Sequence, residues 1–366
     1  MKQLTFILAL FILITACNNP EDITNKTTVS FEGEKILING TPTLQGITWN
    51  GIDMEGLLPN SRMVQGIFDD LNPETVSMWK YPDTGEWDAE RNTNEFVAAM
   101  PSWREHGLLG FTINLQGGSP QGYSREQPWH NSAIDSMGNL RDDYMERLEK
   151  IMNKSDELGM VTILGIFYFG QDERLNGDEA AKNAVRNTID WLIEKDYRNV
   201  LIEIANECNN RKYEISIIKQ DSMQELITLA QNYSEEKGYR YPVSVSFNGN
   251  TLPPPNVVEV SDFILIHGNG VKDPARITEM VEMVRAMPEY RPMPIIFNED
   301  DHYNYDAEEN NMVNAFRAGA SWGYFDFRRE GEPFEAGYQS VPVDWSISHE
   351  RKMEFFGKIK EIASGE

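Results

Sequence analysis

Asn199-Val200-Leu201-Ile202-Glu203-Ile204-Ala205-Asn206-Glu207 is the stretch on which the reading of this chain turns. Its apolar and β-branched residues follow one another with almost no polar interruption, as in a strand covered on both faces within a parallel sheet. Segments of helical period flank it, Asp178–Lys195 before and Ser216–Lys237 after. A strand set between two helices is the repeating unit of a βα architecture. The run also closes on an amide and an acid, at the strand end where such folds carry their reactive groups.

The same alternation continues in both directions. Further strand-like runs are Thr75–Tyr81, Leu108–Leu115, Met160–Phe169, Pro242–Phe247, Asp262–His267, Pro294–Glu299 and Ala320–Phe327. Helical stretches are expected at Glu90–Glu105, Asp142–Leu158, Pro274–Ala286, Glu308–Ala318 and Ser348–Ile362. Gly107, Gly159, Gly238 and Gly319 each follow a helix, where a left-handed cap is wanted. Eight strands with intervening helices predict a single (β/α)₈ TIM barrel. An open doubly wound sheet is disfavoured, because the first run ends in Lys80-Tyr81-Pro82 and no glycine-rich phosphate loop follows it. Two short alternating runs around Glu32-Gly33-Glu34, within Val29–Ile38, predict a small N-terminal β-hairpin capping the barrel floor.

The first residues bear on the compartment. Lys2 precedes the nearly unbroken apolar stretch Leu4–Thr15, too short to cross a bilayer core of roughly 30 Å as a helix. Residues 1–16 therefore read as a signal peptide. Ile14-Thr15-Ala16-Cys17 resembles a bacterial lipobox, which makes Cys17 the lipid-bearing residue and 17–28 a polar tether. The expected location is the cell envelope, as a lipoprotein of the outer membrane, surface or periplasmic face, touching the membrane only through that lipid. Residues 29–366 remain for one catalytic domain. Cys208 is the only other cysteine, so no disulfide framework forms.

Acidic residues outnumber basic ones, 58 Asp+Glu against 33 Lys+Arg, for a net charge of −25. Such a surface repels polyanions, which argues against nucleic acid as a partner and favours a neutral polymer. The five histidines lack the spacing of a metal-hydrolase barrel, and no cofactor motif is present. No metal or cofactor is expected.

Chemistry is sought at the C-terminal ends of the strands. Those ends carry Trp79 and Tyr81, Asn114 and Gln116, Tyr168, Asn206 and Glu207, His267, Glu299 and Trp322. Aromatic rings stack on the flat faces of sugars and amides bind hydroxyls, so the lining suits a carbohydrate. Trp322, Trp79 and Tyr168 are the candidate platforms, and Asn114, Gln116, Asn206 and His267 the candidate polar contacts. Glu207 and Glu299 stand across the barrel mouth, as two carboxyl groups must to flank a glycosidic bond. Asp300 and Asp301 adjoin Glu299 as rivals for its place. Glu203 shares the inward parity of Glu207, and a buried salt bridge or hydrogen-bond role, not catalysis, is expected of it. Arg328 and Arg329 are expected to pair with Asp326 and Glu330 at the surface, the alternative being a local positive spot for a sulfate or carboxylate substituent.

Leu201-Ile202-Glu203-Ile204-Ala205-Asn206-Glu207 resembles the strand-four motif of the clan A, cellulase-like glycoside hydrolases, and Pro294-Ile295-Ile296-Phe297-Asn298-Glu299 is similar to their strand-seven motif. The resemblance implies a retaining glycoside hydrolase on a (β/α)₈ barrel, with Glu207 as acid/base, Glu299 as nucleophile and Asn206 as ligand of the sugar 2-hydroxyl. Its implied substrate is an extracellular polysaccharide or oligosaccharide. The chain departs from that pattern in having Asn114, not Arg, at the strand-two end, His267-Gly268-Asn269 on strand six, and Cys208 after Glu207. These leave the family within the clan open. A non-catalytic glycan-binding lipoprotein and a transglycosylase using the same two acids are the competing readings.

Overall fold

The computed structural model describes residues 26–365. Its central ring has eight parallel strands: Asn60–Arg62, Gly110–Asn114, Val161–Phe167, Val200–Ala205, Val243–Ser244, Ile264–His267, Ile295–Glu299 and Gly323–Tyr324, counted below as strands one to eight. Strands eight, one, two, three, four and five are hydrogen-bonded in that order, and six pairs with seven. The remaining gaps are bridged by isolated backbone hydrogen bonds. Asp262 N donates to Val243 O at 3.0 Å between five and six, and Phe297 N donates to Ser321 O at 2.8 Å between seven and eight.

Helices alternate with these strands: α1 Ala89–Glu105, α2 Asp142–Glu157, α3 Asp178–Glu194, α4 Met223–Glu236, α5 Pro255–Val260, α6 Ala275–Arg285, α7 Asn311–Arg317 and α8 Glu350–Ser364. Helix α2 illustrates why they form and how they face. Asp142 and Asp143 complement the dipole in its first turn, while Tyr144, Leu148, Ile151 and Met152 recur at helical spacing and are buried against the barrel. Asp88 caps α1, its carboxylate accepting from Arg91 N at 2.9 Å. Gly107, Gly159, Gly238 and Gly319 all take positive φ after their helices, as expected. No helix among the described residues is long and apolar enough to cross a membrane.

The hairpin is present, Val29–Glu32 antiparallel to Lys35–Ile38. Val29 and Ile36 pack with Leu58, Val161, Leu201, Leu265 and Ile296 into an apolar plug that seals the barrel floor. Of the tether expected over 17–28, Lys26–Thr28 are already tied down: Thr27 N donates to Asp156 Oδ1 at 2.7 Å, and Thr28 bridges to Arg198. The rest of the tether, the signal peptide and Cys17 lie outside the described residues.

Three expectations need correction. Thr75–Tyr81 is no strand but a loop holding a 3₁₀ turn at Val76–Met78; strand one is Asn60–Arg62. Its three residues are polar although buried, so hydrophobicity alone passes over them. The helix expected over Ser216–Lys237 opens as two 3₁₀ turns and becomes α-helical only at Met223. A short helix, Pro255–Val260, fills the crossover between strands five and six where none was expected.

Candidate active site

Glu207 follows strand four and Glu299 ends strand seven, and the ring brings them face to face. Carboxylate oxygens of both, together with a ring nitrogen of His267, lie within 4.8 Å of one another. His267 ends strand six and is fully buried between the two acids, its Nδ1 3.3 Å from Glu207 Oε1 and 3.7 Å from Glu299 Oε2. Burial works against a charge on this imidazole, but Glu299 and then Glu207 outweigh it and raise its pKa.

Arg62 is the residue that sequence reasoning missed. It ends strand one, is 2% exposed, and places Nε 2.6 Å from Glu299 Oε2. Its Nη2 donates to Asn206 Oδ1 at 2.7 Å, and Nη1 stands 3.8 Å from Glu203. One guanidinium therefore orients an acid of strand seven and the amide beside the acid of strand four. The arginine beside Glu299 comes from strand one. A signal existed in Asn60-Ser61-Arg62, but assigning strand one to Thr75–Tyr81 moved attention to the wrong strand end. Burial pushes the Glu299 carboxyl above its ordinary value, opposed first by Arg62 and then by His267. Asn269 also donates to Glu299 Oε1.

Glu207 adopts φ 51°, a left-handed backbone that non-glycine residues take only when their surroundings impose it. Those surroundings are visible. Ser246 Oγ accepts from Glu207 N at 3.0 Å, Ser246 O accepts from Cys208 N at 3.0 Å, and Glu207 O accepts from Asn210 N at 2.7 Å. The turn lifts the Glu207 side chain out of the strand and into the cleft.

The cleft has a volume of about 350 Å³, and Arg62, Asn206, Glu207, Glu299, Tyr168 and Phe325 are among its lining residues. Tyr168 lies so tightly on Gly118 that a Cβ there would meet its ring at 2.0 Å, and its hydroxyl donates to Ser119 Oγ at 2.9 Å. Tyr123, also on the lining, is an aromatic the sequence did not single out; it is 55% exposed.

Five expected contacts do not line the cleft: His267, fully buried between the two acids, and the four that follow. Trp322 and Tyr324 point outward from strand eight, where Trp322 packs against Tyr305 and Phe355 and its indole donates to Asp300 Oδ2 at 2.9 Å. The alternation of a strand then turns Phe325 inward, and Phe325 is the aromatic of strand eight that reaches the cleft. Trp79 is buried in the loop after strand one, packed edge-on to Phe68 and Trp129, its indole donating to Asp70 Oδ2 at 2.8 Å. Asn114 is buried inside the barrel, its amide oxygen where a Cβ on Gly165 would come within 2.2 Å. Gln116 serves the scaffold, accepting from Tyr168 N at 3.2 Å and donating to Ser132 Oγ at 3.2 Å.

Asp300 and Asp301 do not compete with Glu299. Asp300 is fully buried and accepts from Trp322, Asn311 and His302, while Asp301 sits at the rim and accepts from the Tyr123 hydroxyl at 2.9 Å. Glu203 is buried beside Arg62, in the ion pair expected of it. Arg329 stands 3.8 Å from Asp326 but 3.5 Å from Glu332 rather than Glu330, and Arg328 donates to the carbonyls of Phe334, Val341 and Pro342 instead. Among the described residues, two groups present carboxylate and imidazole atoms close enough to share a metal, Glu207–His267–Glu299 and Asp300–Asp301–His302. Arg62 already brings positive charge to the first, and hydrogen bonds occupy Asp300 in the second, so neither favours a cation.

No protein-family model matches the chain, and no curated protein sequence matches it. Solved structures do. A glycoside hydrolase family 5 protein from Bacteroides vulgatus ATCC 8482 is 14% identical at a TM-score of 0.52, with 88% of this chain and 69% of that one covered. A second Bacteroides vulgatus structure, also 14% identical at a TM-score of 0.52, is longer, and this chain spans 60% of it. An endo-1,4-β-mannanase from Rhizomucor miehei is 11% identical at a TM-score of 0.54, with 93% of this chain and 100% of that one covered. At such identities the likeness is one of fold: this chain is a (β/α)₈ barrel similar in architecture to family 5 glycoside hydrolases.

Proposed function

We propose that this protein is a retaining glycoside hydrolase acting on a polysaccharide or oligosaccharide outside the cell. The observation that carries the reading is the approach of the Glu207 and Glu299 carboxylates to within 4.8 Å across one cleft. Retaining enzymes hold their two carboxyl groups about 5 to 5.5 Å apart, whereas inverting ones leave roughly 6.5 to 9.5 Å for a water. Glu299 is the nucleophile, because Arg62 sustains its negative charge at 2.6 Å. Glu207 is the acid/base.

In the first step Glu299 attacks the anomeric carbon, and the bond to the leaving oxygen breaks as Glu207 gives that oxygen its proton. In the second, water bonds to the anomeric carbon and releases Glu299, while Glu207 takes the proton from water. The sugar leaves with its original anomeric configuration. Asn206, held by Arg62, is placed to bind the neighbouring hydroxyl.

The test is to incubate the protein with a panel of plant and algal polysaccharides, including β-mannan and β-1,4-glucan, since fold neighbours are described as a mannanase and an endoglucanase. Proton NMR of the first product should show the substrate's own anomer before mutarotation. The opposite anomer would sink the retaining assignment.

We also propose that the protein is a cell-envelope lipoprotein acylated at Cys17. The support is the Leu4–Cys17 sequence alone. Cys17→Ala should move the protein from the membrane fraction to the soluble one; unchanged fractionation would refute the anchor.

A further inference from the structure

The cleft is walled along one side by loops hydrogen-bonded to one another. On the walled side, the loop after strand two is stitched to the loop after strand eight. Gln339 Nε2 donates to Gly118 O at 2.9 Å and to Ser119 O at 3.2 Å, and Val341 N donates to Pro120 O at 2.8 Å. Gly122 lies so close over Phe327 that a Cβ would meet that ring at 2.5 Å. The Tyr123 ring packs with centroids 5.4 Å from Phe325 and 5.1 Å from Phe327.

The wall does not stop there. Tyr123 donates its hydroxyl proton to Asp301 Oδ2 at 2.9 Å, joining the loop after strand seven, and Asp301 Oδ1 accepts from Gly270 N at 3.3 Å in the loop after strand six. Trp79 and Tyr81 of the loop after strand one are buried and do not line the cleft. Toward the loops after strands three and four, the exposed Lys212 ammonium pairs with Glu126 Oε1 at 2.9 Å. Lys212 lines both the cleft and a neighbouring cavity of about 400 Å³, which lies between Glu126–Pro128, Glu173 and Arg211–Glu214.

We propose that the enzyme acts from the end of its glycan, with the terminal units stopped against Tyr123, Phe325 and Gln339 and the rest of the chain leaving over the loops after strands three and four. This rests on the hydrolase reading above. A chain threading through would need the space that the joined loops occupy. Tyr123 is then a residue that determines the mode of cleavage. It is exposed and packs on rings that keep their other partners, so its replacement leaves the barrel intact.

The experiment follows the products over time on whichever panel polymer the wild type cleaves, by size-exclusion chromatography and viscometry, beside Tyr123→Ala. A single short product from the first minutes, with viscosity falling slowly for each bond cut, is the expected wild-type result. Tyr123→Ala should release products of mixed length and lose viscosity several-fold faster per bond cut. A ladder of long products from the wild type would overturn chain-end action while leaving the hydrolase reading standing. An unchanged product profile in Tyr123→Ala would remove Tyr123 from the wall. No release of sugar by the wild type from any polymer would overturn both readings together.

Discussion

Glu299→Gln should leave a folded barrel that hydrolyses its substrate at least about 10⁴-fold more slowly than wild type, since the proposed covalent step loses its nucleophile. The amide keeps the shape of the carboxyl group, and its oxygen can still accept from Arg62 Nε, which lies 2.6 Å from the native oxygen. Stability therefore changes less than activity. Glu207→Gln should cost roughly 10²- to 10⁴-fold, the range of a general acid. Its effect should shrink on substrates whose leaving group needs no proton.

A second signature separates the two acids. With Glu207→Ala the glycosyl ester on Glu299 still forms from an activated substrate but lacks a base for the incoming water. Azide needs no base, so it should restore turnover and give the retained glycosyl azide. Rates for both Gln variants within tenfold of wild type, with circular dichroism unchanged, would refute the site.

Arg62→Met should have the largest effect on stability, because it leaves two buried carboxylates facing each other without their shared cation. Glu299 is 2.6 Å and Glu203 3.8 Å from that guanidinium. Breaking a buried ion pair by removing one partner costs about 3–5 kcal/mol. Urea unfolding should show a loss of that order.

Activity should respond in a defined direction. The nucleophile must be ionised, and burial already raises Glu299, so the acid limb of kcat/KM lies above the ordinary glutamate value of about 4.3. Activity is present above that limb and lost as the pH falls through it. Arg62 is the main group opposing the rise, so its removal should move the limb to higher pH. Should Arg62→Met fail to fold, Arg62→Lys still decides. It keeps the charge but cannot hold Glu299 and Asn206 in one planar fork, so kcat should fall with a smaller displacement of the limb. A limb that stays in place in both variants would detach Glu299 from Arg62.

How much of this was legible without coordinates differed from element to element. Strands three, four and seven were, because their long apolar runs lie between helix-packed and barrel-filling faces. Glu207 and Glu299 followed from them, since counting strands places four and seven across the mouth. Strand one was not. Asn60-Ser61-Arg62 carries no apolar signal, because its pairing is only three residues long and all three residues are polar although buried. The aromatic Thr75–Tyr81 imitated a strand because Trp79 and Tyr81 are buried in the core of a loop.

Strand eight shows a different limit. Its period of two was readable, but which of Trp322 and Phe325 faced inward depended on the neighbours on either side of the sheet. Helix α8 supplies Phe355 for Trp322 and Tyr324, which turned the indole outward. The sequence by itself determined the alternation of strand and helix, and with it the barrel and the strand ends that bear the two acids, because burial period is a local property of the chain. Only the tertiary structure decided that Arg62 stands beside Glu299, that Glu207 is held in a left-handed turn by Ser246, and that Tyr123 reaches Asp301. Those contacts join residues far apart in the chain, and their distances are set by closure of the ring rather than by any local preference.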